Sequence, residues 1–409
     1  MPTEPTDVLP GTRSRFPQQY WVLWTGTLVN RAGTFVEPFA VLYLTSARGF
    51  SAVQAGVAIT FYGLGAAVSQ LVGGWFADRV GRRATLFWGL VAASLSLVAL
   101  GAARGLPAIC AAAVLVGLAG DLYRPASSAL VADLISPADR PRAFALLFWA
   151  VNLGFSLASL TAGFLAEHSY TLLFALDAAS CLGYAVIVRF GIRADPPRPA
   201  PSQHSEPGGF GTALRDPLML ALVGLSVAIA VVYFQNAITL PLAITGRGLS
   251  PLVYGLVSAV NGILIVVLQP FSIRLVRRFD RSHVLALGSA LIGLGFGLTG
   301  LATTPPAYAA TVAVWTLGEV LTAGLAASLV ADISPVEARG RYAAVWGSSF
   351  GVAALLAPAL GTWAFQEGGP RVLWTGCVVV GLLVAAGYLA LAPVARRRSA
   401  QAVAPMPTG

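Results

Sequence analysis

The hydrophobic positions of this chain fall in blocks rather than stripes. Mostly apolar runs of about 20 residues or more cover 20–45, 52–76, 84–103, 106–132, 141–166 and 170–190, then 217–244, 250–275, 283–302, 306–331, 341–365 and 371–394. A bilayer core ~30 Å thick takes about 20 residues of apolar helix. Inside lipid every backbone N–H and C=O must find its partner within its own segment, so such runs must be helices. The pattern predicts an all-α membrane protein with twelve transmembrane helices. The alternating segments of roughly ten residues that build a membrane β-barrel are absent from the sequence. One connection is long. It spans 193–216 and carries Pro196, Pro197, Pro199, Pro201, Pro207 and Gly208-Gly209-Phe210-Gly211. That composition predicts a flexible linker. The expected organisation is a tail (1–19), a six-helix bundle (20–192), the linker (193–216), a second six-helix bundle (217–395) and a second tail (396–409).

The two halves repeat. Arg48-Gly49-Phe50-Ser51, then Gly56, Gly63 and Gln70, recurs 199 residues later as Arg247-Gly248-Leu249-Ser250, then Gly255, Gly262 and Gln269. Asp133, Arg140 and Arg142 match Asp332, Arg339 and Arg341 at the same spacing. A parallel repeat predicts two bundles related by an axis along the membrane normal, with the substrate between them near the midplane.

Composition agrees with this reading and narrows it. Of 409 residues, 56% are hydrophobic and 11% charged, against roughly 25% charged in soluble domains. The net charge of +9 does not signal nucleic acid, because there is no Lys and the Arg residues lie mostly between the apolar runs. With both termini cytoplasmic, 20 of the 26 Arg fall on the cytoplasmic side, as the positive-inside rule requires. Arg48, Arg104, Arg247 and Arg371 then fall outside, and Arg31 and Arg124 within spans. The first twenty residues hold no apolar signal-peptide core, so the first span is expected to remain. Cys110, Cys181 and Cys377 lie far apart in apolar runs and show no metal or redox spacing.

The segment after the second span reads Gly74-Trp75-Phe76-Ala77-Asp78-Arg79-Val80-Gly81-Arg82-Arg83. Gly74 permits close helix approach, and Gly81 permits a tight turn. Asp78 suits a helix N-terminus, and Arg82 and Arg83 suit an anionic membrane face. This pattern, G-x-x-x-D-R-x-G-R-R, resembles the signature loop of the major facilitator superfamily. The resemblance implies that the loop is a cytoplasmic gate, with Asp133 at the end of the fourth span as its acidic partner. The second copy, Gln269 to Arg281, is degenerate, with Arg277 where Asp78 stands, which predicts unequal gates. The segments "NRAGTFVEPFAVLYL" and "GDLYRPASSALVADL" resemble the twelve-span drug:proton antiporter branch. The antiporter motif of its fifth helix is incomplete here. Gly154 and Gly163 remain, its proline is missing, and Ala357-Pro358-Ala359-Leu360-Gly361 stands in the eleventh span instead.

Charges inside the membrane cost roughly 2.5–3.5 kcal/mol each on insertion scales. Arg31 and Glu37 in the first span, Asp121 and Arg124 in the fourth, Asp177 in the sixth and Glu319 in the tenth are therefore functional candidates. Asp121 and Arg124 share a helix face, and Arg31 is expected to join them in a cluster. Pro38, after Glu37, predicts a kink beside a desolvated carboxylate. Glu37, Asp121 and Glu319 are the candidate proton carriers, with Arg31, Arg124 and Asp177 as charge partners. A permanent ion pair holding helices together accounts for Asp121 and Arg124 equally well. Phe35, Phe39, Tyr62, Tyr123, Trp149, Asn152, Tyr233, Phe234, Gln235, Asn236, Asn261, Trp315 and Trp346 are candidate lining for a mainly apolar pocket. His168, His204 and His283 lie in loops.

The function these readings support is secondary active transport: proton-coupled efflux of an amphipathic small molecule by alternating access. An importer or facilitator of a small metabolite, or a non-transporting sensor, is the alternative. No nucleophile with its base, no metal-ligand spacing and no phosphate loop followed by Lys occurs, so no enzyme and no cofactor are expected. The expected partners are a small molecule, protons and the bilayer. The expected location is the inner membrane, as a monomer.

Overall fold

The apolar runs fold as helices. The computed structural model describes residues 16–136, 139–193, 211–276, 278–335 and 338–403. Most of the linker (194–210) and Arg277 lie outside the described residues, as do the side chains of Gln70, Asp78 and Arg339. Eleven described segments are long and apolar enough to cross a membrane. The first run is not among them; its break spans three non-helical residues, Gly33–Phe35.

That run folds as α1 (Gln18–Ala32), a short α2 (Val36–Leu42) and a wider turn, Tyr43–Ala47. In the wider turn the Arg48 N–H reaches back five residues to Tyr43, at 3.1 Å. The break falls at Gly33–Phe35, one turn before Pro38, where the kink is expected. Pro38 has no N–H for the Thr34 carbonyl four residues back, and its ring crowds that carbonyl in a continuous helix. The break is held from another helix. Asp177 Oδ2 accepts the N–H groups of Phe35 and Val36, each at 3.0 Å. A carboxylate at a helix N-terminus meets both the orphan amides and the helix dipole. A side-chain cap of this kind contributes about 1 kcal/mol.

α3 (Ala52–Arg79) and α4 (Arg82–Ala102) are continuous. The fourth run divides at Asp121–Leu122 into α5 (Leu106–Gly120) and α6 (Tyr123–Leu134). α7 (Arg140–His168) and α8 (Tyr170–Gly191) complete the first half. The second half opens with a turn, α9 (Gly211–Leu214). The seventh run is α10 (Pro217–Tyr233), α11 (Gln235–Ile238) and α12 (Leu240–Thr245), followed by the long α13 (Pro251–Val276) and α14 (Arg281–Thr299). The tenth run divides into α15 (Pro305–Thr322) and α16 (Leu325–Ile333). Gly324, at φ +74°, makes that bend. α17 (Arg339–Glu367) and α18 (Gly369–Val403) close the fold. The first, fourth, seventh and tenth runs are thus the interrupted ones.

The repeated sequence motif has a structural job. Arg48 donates to the carbonyls of Gly101 (2.9 Å) and Ala103 (2.7 Å), capping the end of α4. Arg247 donates to Gly300 at 3.3 Å, again 199 residues on, at the end of α14. A cation there complements the C-terminal end of the dipole. Gly49 (φ +70°) and Gly248 (φ +76°) supply the left-handed turn that follows. Ser51 then caps α3 in a capping box with Gln54.

A polar tie fastens the second half near its ends. Asp216 caps α10 and accepts from Arg398 of α18 (2.6 Å) and Tyr342 of α17 (2.7 Å). Burial pushes the Asp216 carboxyl up. The hydrogen bonds from Arg398, Tyr342 and the Met219 N–H outweigh that and hold it below its usual range. A carboxyl lowered by folding stabilises above its unfolded value, about 3.9. That contribution is lost as pH falls through the lowered folded value. Asp216→Asn is therefore expected to lower the melting temperature of the detergent-purified protein at pH 7. Its difference from the parent should close as the pH drops below about 4. A difference that persisted unchanged in acid would contradict this role.

Among the described residues the halves meet along only part of their length. On α3, Gly56 and Gly63 face Pro358 and Ala354 of α17: a Cβ would come within 2.8 Å and 2.6 Å of their carbonyl oxygens. On α7, Gly163 faces Gly255 and Leu252 of α13. Phe39 packs edge-on against Tyr254 with ring centres 5.0 Å apart, and the Val53 N–H donates to Gln366 at 3.1 Å. All of these lie toward the face away from the chain ends. Toward the terminal face the described residues are more open. A Cβ on Gly74 or Gly347 would meet nothing within 4 Å, and Trp149 of α7 is 44% exposed.

Candidate functional site

An open cavity lies among the interrupted helices. Most of its wall comes from the first half. Asn30, Arg31, Thr34 and Glu37 come from the broken first run, Tyr62 from α3, and Asp121 and Tyr123 from the α5–α6 break. Asp177 and Cys181 come from α8. The second half adds Phe234, Ala237 and Ile238 around the α10–α11 break, and Ala354 and Pro358 of α17.

The helix breaks bring the charges here, but not as one cluster. Asp121 pairs with Arg124, Oδ1 to Nε 2.7 Å. Arg31 does not join them. Among the described residues none accepts a hydrogen bond from its guanidinium, no carboxylate lies within 4.0 Å, and Nε is sealed from solvent. α7 fixes its place: a Cβ on Gly154 would come within 2.5 Å of the Arg31 Cβ. Asp177, 4% exposed, is committed to the α2 amides.

Glu37 is exposed on the cavity wall, whereas the sequence predicts a desolvated group. It lies in the first turn of α2, whose start Asp177 holds, and no side chain among the described residues pairs with it. It shares the cavity with residues of both halves, Tyr62 and Asp121 on one side and Phe234, Ala237 and Ile238 on the other.

Glu319 is elsewhere. It lies within the second half, away from this cavity, and meets no arginine. Tyr233 donates to it at 3.0 Å and Asn261 at 2.8 Å. Its position is within one residue of the one that matches Asp121 in the repeat, but its donors are neutral.

Few of the expected lining residues reach the wall. Tyr62, Tyr123 and Phe234 do. Phe35 and Phe39 are buried in the core. Gln235 is 2% exposed and ties the α10–α11 break to α17 through the Ala357 carbonyl, at 3.3 Å. Asn261 is committed to Glu319. Trp315 stacks on Phe296 with centroids 5.2 Å apart, and Trp346 donates to Ser226 at 2.9 Å. Asn152 donates to the Phe148 carbonyl of its own helix at 2.9 Å. Trp149 and Asn236 also lie off this wall. Sequence reasoning missed Asn30, Thr34 and Cys181; none is charged, although Asn30 and Thr34 lie within the segment NRAGTFVEPFAVLYL.

The candidate gate forms a compact polar knot on the terminal face. Gly81, at φ +101°, turns the chain from α3 into α4. Arg82 pairs with Asp133 (3.2 Å) and donates to the Ala77 carbonyl (3.2 Å). Arg83 donates to the Arg189 carbonyl. The Arg79 guanidinium covers the Trp75 ring at 4.7 Å, and Gly74 is free of contact. An equivalent pair, Arg281 with Asp332, stands 199 residues on. Both terminal-face knots therefore contain an Arg–Asp pair; the Asp78 side chain and Arg277, on which the expectation of unequal gates rests, lie outside the described residues.

The chain matches the Major Facilitator Superfamily over residues 23–250 and 225–406. It belongs to that superfamily. It is a multi-pass membrane protein of a transporter family, as the loop Gly74–Arg83 implies. Among relatives, the chain is similar to the multidrug resistance protein MdtH of Cronobacter sakazakii, 24% identical over 384 residues, 91% of this chain and 93% of the relative. It is also similar to the Na(+), Li(+), K(+)/H(+) antiporter of Planococcus maritimus, 24% identical over 364 residues, 81% of this chain and 85% of the relative. Its fold is like that of a peptide transporter POT crystallised with sulfate. The TM-score is 0.79 at 19% identity, covering 93% of this chain and 96% of that one.

Proposed function

We infer that this superfamily member exports an amphipathic small molecule in exchange for protons. The observation that carries this is the position of Glu37. An unpaired carboxylate on a mostly apolar cavity wall, shared by both halves, is where a proton and a substrate can compete. Closer contact between the halves at one end supports alternating access, with this cavity open toward the terminal face. The Arg count assigns that face to the cytoplasm, both termini included, in the inner membrane. The broken first run supplies the twelfth span. Residues 20–192 and 217–395 then rock as two six-helix bundles, joined by the linker 193–216, in a monomer. Asp121 and Glu319 are further protonation sites. The loop Gly74–Arg83, with Asp78 and Asp133, acts as the cytoplasmic gate. The relationship to MdtH favours drugs or drug-like metabolites as cargo.

The test is retention of a fluorescent amphipathic dye. Cells expressing the protein should hold several-fold less dye than cells without it, and a protonophore should abolish the difference. Equal retention with and without expression would remove the export reading. Dye retention that instead followed imposed Na⁺ would favour cation exchange, as the name of the Planococcus relative suggests.

A further inference from the structure

The cavity wall carries four charged side chains from the first half, Arg31, Glu37, Asp121 and Asp177. Two of them are spoken for. Asp177 holds the amides of Phe35 and Val36, and Asp121 is paired with Arg124. Arg31 and Glu37 remain. They flank one helix break, face the same cavity and have no partner among the described residues. A guanidinium presents a planar fork of N–H donors and stays charged at any physiological pH. Arg31 is half-buried on this wall, and its Nε is sealed from solvent with no acceptor. A buried donor left unmet is costly, so an acid group entering the cavity has a cation waiting for it. Glu37 offers the opposite charge, and the wall between and around them is apolar and aromatic.

We propose that the substrate is an amphipathic zwitterion, with its acid group on Arg31, its ammonium on Glu37 and its apolar body against Tyr62, Tyr123 and Phe234. This rests on the cavity being the transport site. A purely cationic amphiphile would leave the Arg31 donors unmet and bring a like charge toward them. A purely acidic one would bring a second anion toward Glu37. The zwitterion answers both. It also couples to protons with the sign that export requires. A proton on Glu37 removes the counter-charge of the ammonium, so proton and substrate exclude one another.

The experiment uses one fluorescent scaffold in three charge forms at about pH 6, below the pKa of an α-amino ester so that its amine is charged. These are ε-dansyl-lysine (zwitterion), its methyl ester (cation) and its Nα-acetyl derivative (anion). Binding to the full-length detergent-purified protein is followed by dansyl emission. The zwitterion is expected to bind at least about tenfold tighter than either relative. Arg31→Gln should bring the zwitterion down to the ester's affinity, and Glu37→Gln should bring it down to the acetyl form's. Arg31→Lys keeps the charge but loses the fork, and should fall between. Should Arg31→Gln fail to fold, the ligand series on the parent protein still decides. An ester that binds as well as the zwitterion overturns the proposal, as does an Arg31→Gln variant that weakens all three ligands alike. Flux separates this from the export reading. Gradient-driven movement of the ester with no preference for the zwitterion would sink the substrate class alone. The expected binding order without gradient-driven movement of any form would sink export alone.

Discussion

Glu37→Gln is expected to abolish proton-driven transport while the protein folds as before. Gln keeps the shape of the side chain and behaves as a permanently neutral Glu. Glu37 is exposed and has no ion-pair partner among the described residues, so removing its charge breaks no ion pair. The usual penalty for breaking a buried pair does not apply, and the stability change should stay within about 0.5 kcal/mol, as at an exposed site. Transport should respond far more strongly. A pH gradient acts only through groups that gain and lose protons between the two faces, and a membrane potential supplies about 2.3 kcal/mol per charge per 100 mV only if a charge moves. Flux down an imposed proton gradient should fall by about tenfold or more. Exchange of labelled for unlabelled substrate without a gradient should persist, at a higher half-saturating concentration. Gradient-driven flux at the parent rate would remove Glu37 from the mechanism and leave Asp121 or Glu319 to carry the proton.

The second large effect is expected at Gly163. A Cβ there would lie 3.0 Å from the Leu252 Cα and 3.2 Å from the Gly255 Cα, across the interface between the halves. Leu at this position must push the helices apart. Overpacking of this kind costs about 1–3 kcal/mol, and here the cost falls only on the state in which the halves meet at this end. Since about 1.4 kcal/mol is tenfold in an equilibrium constant, the population should shift some 5- to 150-fold toward the state open at the opposite face. The readout is a cysteine placed at Ala237 on the cavity wall, with the three native cysteines replaced. Impermeant maleimide added from the side away from the termini should label Gly163→Leu much faster than the parent, and flux should fall. Gly163→Ala should show a smaller effect in the same direction. Unchanged labelling would mean that α7 and α13 do not form the moving seal.

The architecture was legible because lipid permits so few solutions: apolar runs of sufficient length become helices, and eleven described segments qualify. The interruptions were much harder to see. The break in the first run lies at Gly33–Phe35 because Asp177, some 140 residues away in sequence, supplies the acceptor that the restarting helix needs. No local signal marks that acceptor. Pro38 does mark the place, since the break contains Thr34, the residue four positions back whose carbonyl a proline cannot bond. The charged candidates were visible because charge in an apolar run is rare, and Asp121 with Arg124 follows from their spacing. What spacing could not show is that Arg31 stands apart, that Glu37 faces open space, and that Glu319 is held by Tyr233 and Asn261 instead of an arginine. Those depend on which helices pack together. The amides and aromatics misled for the same reason. Gln235 and Asn261 are polar because they bind other helices, not a substrate.

The account stands most directly on proton exchange through the Glu37 cavity. The measurement is uptake of a fluorescent amphiphile into liposomes containing only this protein, with and without an imposed pH gradient. The account predicts accumulation when the lumen is acid relative to the medium, collapse of that accumulation on adding a protonophore, and its loss in Glu37→Gln. Accumulation that ignored the gradient, in a preparation shown to be folded and reconstituted, would contradict it.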